Sequence, residues 1–330
     1  MKVCIVGAGA IGGFIGARLA AAGGHEVSAI ARGATLAALR EHGWRLRQGD
    51  ALIGGPARAS DDARELGVQD LVVIAVKGPA LSAVAQGISP LLGAGTVVLP
   101  AMNGVPWWFV DGIAAVGDAP LQSVDPGGRI AAAIPKRQVL GCVVHASTST
   151  PEPGLVQHKM GRGLIVGEPG GGHSERAQRV GATLSQAGFE VTVSADVRHD
   201  IWYKLWGNLT MNPVSAITGA TIDRVLADPL LREFCSAAMR EAAAIGERIG
   251  CRIEQSTEER HAVTAKLGAF KSSMLQDVEA GRAIELDSIV TAVHEIGQRV
   301  GVQAPNIGAL LGLTRLFGRV HGLYPDATLA

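Results

Sequence analysis

The sequence predicts an α/β domain built on a parallel sheet, followed by an all-α domain. Three observations carry this. A short β-branched run, Lys2–Val6, leads directly into Gly7-Ala8-Gly9-Ala10-Ile11-Gly12 and a helical pattern to about Ala22. Strand-like and helix-like segments then alternate as far as about Ala195. From there to about Phe317 the pattern is helical, which places the boundary between residues 195 and 196.

Composition narrows the functional classes. With 330 residues, 47% of them hydrophobic and 18% charged, the chain can bury a sizeable core in one or two domains. The formal net charge is zero and no basic run stands out, so nucleic acid is not an expected partner. Cys4, Cys142, Cys235 and Cys251 are far apart and form no CxxC pair, which favours reduced thiols in a cytoplasmic protein over disulfides or a metal site. The first residues, MKVCIVGAGAIGGFIGARLAAA, share a lysine, an apolar run and small residues with secretory signals, but their glycine spacing argues for a nucleotide loop. No apolar run is long enough for a membrane helix, so no membrane is expected as a partner.

In the α/β half, the loop is G-x-G-x-x-G with a strand before it and a helix after it, the context of a dinucleotide-binding fold. Gly7 permits the tight turn, Gly9 lets a pyrophosphate approach the backbone, and Gly12 lets helix and strand pack closely. The phosphates then meet the free N–H groups of the helix N-terminus, including those of Ala8, Ala10 and Ile11. Glu26–Ala31 reads as the second strand. It ends at Arg32, twenty positions after Gly12, where an NAD site would carry an acid. A guanidinium there matches a 2′-phosphate, so NADP(H) is expected over NAD(H). Trp44–Ala59 reads as a glycine-punctuated hairpin or loop. Asp70–Val76 and Thr96–Leu99 are buried strands that end in Lys77 and, within PAMNG, Asn103, both at the sheet edge where a ligand crevice lies. Pro106-Trp107-Trp108-Phe109 fits a lid, a pocket wall, a subunit contact or plain packing. Val139–His145, Leu164–Val166 and Glu190–Val193 read as further strands, with a helix from Ser174 to about Ala187. His145 and His158 have no suitably spaced partner and read as structural.

The all-α half opens on Asp200–Gly219, helical despite Pro213. Lys204, Asn208 and Asn212 recur every fourth residue. Such residues share a face, so the three form one stripe that drifts by roughly 40° per step. The rest of the segment is apolar: Ile201, Trp202, Leu205, Trp206, Leu209 and Met211. A helix apolar nearly all round is buried, and a lysine and two amides within it need partners. The pattern fits either a Lys/Asn solvent edge or a site where one ammonium and two amides meet a polar ligand. Glu233–Ile249, His261–Ser273 and Glu285–Val300 read as further helices, Pro305 precedes the last one, and the tail after Arg319 reads as loose.

Over essentially the whole chain these residues resemble the ketopantoate reductase (2-dehydropantoate 2-reductase) family. The resemblance rests on GAGAIG, Arg32, VKGPAL, NGV, KLWGNLTMNPVSAITG and SSMLQDVEAGRAIELD, the last two being the specific ones. It implies an NADP-binding Rossmann domain, residues 1–195, and a helical substrate and catalytic domain, residues 196–330, like the C-terminal domain of 6-phosphogluconate dehydrogenase. It implies NADPH-dependent reduction of ketopantoate to pantoate, in pantothenate biosynthesis. By the same resemblance Lys204 is the general acid, Asn208 and Asn212 hold the substrate's hydroxyl and carbonyl groups, and Ser273 receives its carboxylate. Glu285 lies where cofactor and substrate meet, and Lys77, Asn103 and Ser147 lie on the cofactor side. A small 2-oxo acid is the expected partner in the cytoplasm, and a homodimer stays open. The chain departs from the family pattern at Phe270, where many members carry Asn, and in the longer Val105–Lys136 region. Two alternatives therefore remain: a reductase of the same architecture for another 2-oxo acid or carbonyl compound, and a non-catalytic NADP(H) sensor.

Overall fold

The computed structural model of the chain describes residues 1–326. Its first unit comprises Met1–Trp108 and Gly128–Asp200. In chain order this unit contains β1 (Lys2–Val6), α1 (Ala10–Ala22), β2 (Glu26–Ile30), α2 (Gly33–His42), β3 (Trp44–Gln48), β4 (Ala51–Gly55) and β5 (Arg58–Ser60). There follow β6 (Leu71–Ile74), α3 (Gly78–Gly87), β7 (Val97–Pro100), α4 (Arg129–Ala133), β8 (Gly141–Glu152), β9 (Leu155–Gly167), α5 (Glu175–Gln186) and β10 (Glu190–Ser194). The order β5-β2-β1-β6-β7 makes a five-stranded sheet in which every pairing is parallel. From β1 the chain builds outward through β2 on one side, then returns to β6 on the other. That reversal opens a crevice at the carboxyl ends of β1 and β6, where open α/β sheets take their ligands.

A second sheet, in the order β10-β9-β3-β4 with β8 also on β9, is the main departure from expectation. Val139–His145 and Leu164–Val166 are not short separate strands. They belong to one long antiparallel hairpin, β8–β9, turned at Pro153-Gly154. Its middle, from about His158 to Gly163, is largely exposed, so the core-facing alternation that marks a strand fades there. The Trp44–Ala59 hairpin forms as β3–β4 and joins this sheet.

Helix α1 is buried from Gly12 to Leu19 and packs on both sheets through glycines. A Cβ at Gly13 would lie 2.6 Å from Val156 of β9, and one at Gly16 would lie 2.5 Å from the Trp44 ring of β3. Arg18 is buried in the same core, its guanidinium 5.2 Å from the Phe14 ring and 5.5 Å from Phe189, and it bonds Gln48 Oε1 at 2.7 Å. No disulfide forms: all four cysteines are buried, and burial pushes the Cys4 and Cys235 thiols up to about 11. His158 stacks on Phe14 at 5.0 Å and bonds the Gly161 carbonyl, a packing position.

The second unit comprises Phe109–Gly127 and the chain from Ile201 onward. Helix α6 (Val197–Thr218) begins in the first unit and carries the chain across. After it come α7 (Ile222–Ala227), α8 (Pro229–Arg248), α9 (Thr257–Ala265), α10 (Ser273–Glu279), α11 (Ala292–Arg299) and α12 (Pro305–Val320). The helix expected over His261–Ser273 is replaced by α9, a break, and α10. Gly268, at φ +62°, supplies the stop. The helix expected from Glu285 opens instead on a π-turn, Asp287–Thr291, before α11.

The Phe109–Gly127 segment is pinned to α11. Glu295 accepts bonds from Gln122 N and Ser123 N, each at 2.9 Å, while Arg299 donates to the Ala119 and Pro120 carbonyls at 2.5 and 2.7 Å. Trp107, Trp108 and Phe109 are all buried, and Phe109 stacks on Trp202 at 5.8 Å; this segment is packing, not an exposed lid. The tail is less loose than expected as far as it is described. Leu323 O accepts from Ile284 N at 3.0 Å and Tyr324 bonds Asp287 Oδ1 at 2.6 Å. Residues 327–330 of that tail lie outside the described residues.

Candidate active site

On the first unit, the glycine loop divides by what each glycine avoids. Gly7 adopts φ +92°, and a Cβ there would lie 2.5 Å from Val76 Cγ1 and 2.9 Å from Ala75 O. A Cβ at Gly12 would run into the Gly7 carbonyl oxygen and lie 3.0 Å from Ile5 and Ala75 side chains. The fold itself therefore demands these two glycines. Gly9 is different: nothing lies within 4 Å of the Cβ it lacks. Its backbone is open to whatever approaches from outside. Gly9 is also the N-cap of α1, with no side-chain cap and no acidic residue in the first turn. The amides at that end are thus left for an anion.

Arg32 sits just past the end of β2 as the N-cap of α2. It is exposed, and among the described residues no group bonds or pairs with its guanidinium. Lys77 follows β6 as the N-cap of α3, and Asn103 follows β7 just before Gly104, which takes φ +81°. Both are half-buried. Glycine loop, Arg32, Lys77 and Asn103 thus share the carboxyl edge of one parallel sheet. Ser147 lies elsewhere, on β8 of the second sheet, opposite Met160 at a register shift in the hairpin. The chain enters β8 alongside β7, since Leu140 N donates to Val98 O at 2.9 Å.

On the second unit, α6 is anchored by its aromatic face. Trp206 Nε1 donates to the Met239 carbonyl of α8 at 2.7 Å, and Gly207 leaves room for the Arg260 guanidinium, which lies over Tyr203 at 4.8 Å. The polar stripe runs along the other side. Lys204 and Asn208 are half-buried, whereas Asn212 is only 5% exposed and its Nδ2 has no partner among the described residues. A buried amide donor without a partner is costly unless a ligand supplies one. Pro213, which removes one helix N–H, follows at once.

Ser273 is the first residue of α10 and is exposed; the cap is its neighbour Ser272, whose Oγ accepts from Leu275 N at 3.1 Å. Ser272 also meets Ser215 of α6 at 2.5 Å. This link brings the head of α10 to the helix that carries the stripe. Sequence reading missed it because two serines 57 positions apart leave no periodic signal. Glu285 is half-buried and lies two residues before the π-turn that leads into α11. The fixed points around it are Ile284 and Asp287, each tied to the tail. Burial and the Asp287 hydrogen bond push the Tyr324 phenol well above its ordinary value. Phe270 packs in an apolar cluster that includes Met211, Val214 and Ile222.

A parallel-sheet unit with a glycine loop and a helical unit with a lysine–amide stripe describe an oxidoreductase that uses a pyridine nucleotide, and comparison with known proteins agrees. Residues 3–171 match the family described as ketopantoate reductase PanE/ApbA, and residues 196–317 match its C-terminal counterpart. The chain belongs to the ketopantoate reductase family. A 2-dehydropantoate 2-reductase of Mesorhizobium japonicum is 42% identical over 325 residues, covering 98% of this chain and 100% of its own. The crystal structure of a ketopantoate reductase candidate from Ralstonia solanacearum MolK2 is 55% identical, with a TM-score of 0.93 and coverage of 98% and 99%. A PanE/ApbA family ketopantoate reductase from Ralstonia eutropha JMP134 superposes with a TM-score of 0.83 at 26% identity, over 98% of this chain and 100% of its own. Among the described residues no helix is long and apolar enough to cross a membrane.

Proposed function

We propose that the protein reduces 2-dehydropantoate to pantoate with NADPH. The single observation that carries this reading is the α6 stripe, where Lys204 and Asn208 share a face with the buried, unpartnered amide of Asn212. That set suits a small, oxygen-rich acid. Asn212 and Asn208 donate to its carbonyl and hydroxyl oxygens, and Ser273 takes its carboxylate. Lys204 holds a proton at Nζ for the ketone oxygen and stabilises the negative charge that grows there.

Bound NADPH supplies the hydride. The residues that fit it are those of residues 1–195, with residues 196–330 serving the substrate. The open backbone at Gly9 and the uncapped α1 N-terminus suit a pyrophosphate, and the exposed Arg32 suits a 2′-phosphate. Lys77, Asn103 and Ser147 serve the nicotinamide side, and Glu285 is the remaining residue assigned to the cofactor. The protein works in the cytoplasm, as a monomer or a homodimer.

A second reading, reduction of another 2-oxo acid, is favoured by Phe270, an apolar residue packed against the Met211–Val214–Ile222 cluster three residues before Ser273. An apolar side chain there suits a substrate with more hydrocarbon near its carboxylate. Steady-state NADPH oxidation with a panel of 2-oxo acids tests both. Highest kcat/KM with ketopantoate supports the first reading; a clear preference for a bulkier acid replaces it with the second. No turnover with any acid removes both and leaves a cofactor-sensing protein.

A further inference from the structure

Two buried hydroxyls connect the elements that carry the proposed substrate contacts. Ser215 and Ser272 are 0% and 3% exposed. Ser215 Oγ lies 3.1 Å from the Asn212 carbonyl oxygen and 2.5 Å from Ser272 Oγ, and Ser272 Oγ lies 3.1 Å from Leu275 N. Each hydroxyl has one proton to give. One assignment uses every contact: Leu275 N–H donates to Ser272, Ser272 donates to Ser215, and Ser215 donates to the Asn212 carbonyl. The chain of bonds then runs one way, from the head of α10 to the backbone of the very residue whose side-chain amide is unpartnered.

We propose that Ser215 is a positioning residue for the substrate. Through Ser272 it fixes the first turn of α10, and with it Ser273, in register with Asn212 on α6. The inference rests on the reduction reading above. Ser273 directly follows Ser272, is exposed, and has a hydroxyl that no other described residue bonds. Its usefulness to a ligand held by Asn212 therefore depends on where α10 begins. The Ser215 hydroxyl does not touch the ligand; it sets the distance between two groups that do, and misplacement of such groups is costly to binding.

The test is steady-state kinetics with NADPH and the best 2-oxo acid of the panel, alongside NADPH titration and thermal melts. Ser215→Ala should raise the KM for the acid about three- to tenfold, the span expected for one hydrogen bond. NADPH affinity should be unchanged. Ser272→Ala should give a similar rise, and the double variant no more than either alone, because the two act as one unit. Ser215→Thr, which keeps the hydroxyl, should restore the KM. Where Ser215→Ala does not fold, Ser272→Ala carries the test from the other side. A lower melting temperature with an unchanged KM overturns the proposal, as does an equal loss of NADPH affinity. Ser273→Ala, measured in parallel, separates the two levels: a raised KM there with none at Ser215 sinks the positioning role alone. A wild-type protein that turns over no 2-oxo acid sinks the reduction reading and this one with it.

Discussion

At Gly9 and Arg32, single residues distinguish what the fold needs from what a ligand needs. The fold has room for a methyl at Gly9, whose φ of −80° suits any residue, and none at Gly12. Gly9→Ala should therefore leave the melting temperature nearly unchanged and weaken NADPH binding by about 1–3 kcal/mol, as amide–phosphate bonds lengthen. Isothermal titration beside a thermal melt reads both, and an intact NADPH affinity would detach Gly9 from the cofactor. Gly12→Ala is the contrasting control: its Cβ meets the Gly7 carbonyl, so stability and binding fall together. Arg32 poses the same question for cofactor choice. Its guanidinium has no partner among the described residues, so its loss costs the fold little. Arg32→Ala should lower the NADPH preference about ten- to a hundredfold, the range of one charge-assisted contact, with NADH use little changed. Equal losses for both cofactors in kcat/KM would show that Arg32 does not read the 2′-phosphate.

Between elements, a multiple tie in the helical unit is Glu295 on α11, which holds the Phe109–Gly127 segment through Gln122 and Ser123. Burial works against its charge, but the bonds from Ser123, Gln122 and Arg299 outweigh burial and hold its carboxyl below the ordinary value of 4.5. A carboxyl lowered in the folded state stabilises above its unfolded value, and that contribution is lost as pH falls through the lower folded value. Glu295→Gln should thus cost about 1.5–3 kcal/mol near pH 7, and the gap from wild type should narrow below about pH 4.5. Urea unfolding at the two pH values checks this; a gap that stays constant would mean the charge is not what matters. The tie also shows where sequence reading stops. Strand β1, the glycine loop, the parallel strands and the α6 stripe were legible because each has its own period or motif. The second sheet, the Glu295 tie and the Ser215–Ser272 bond were not, because they join distant stretches through polar groups that leave no periodicity. The break before α10 could have been found: Gly268 is a helix stop, and two serines before Met274 offer a cap.

For the molecule as a whole, the proposed roles sort by unit. Of the residues given proposed roles, the glycine loop, Arg32, Lys77, Asn103 and Ser147 lie in the first unit, and Lys204, Asn208, Asn212 and Ser273 lie in the second. Binding of NADPH and protonation of the ketone should then fail separately. Lys204→Ala removes the proton donor from a helix otherwise anchored by Trp206 on Met239 and Trp202 against Phe109, so the fold should survive. Its loss should cost about 10²–10⁴ in turnover, the range for a positioned acid, or roughly 3–5 kcal/mol of barrier. NADPH affinity should change little, because the groups that fit the phosphates belong to the other unit. Single-turnover NADPH oxidation, with cofactor prebound, isolates the chemical step from binding. A Lys204→Ala protein with near-normal single-turnover rates would leave Lys204 a structural lysine on a buried helix, and the acid would have to be sought elsewhere on α6 or at Glu285.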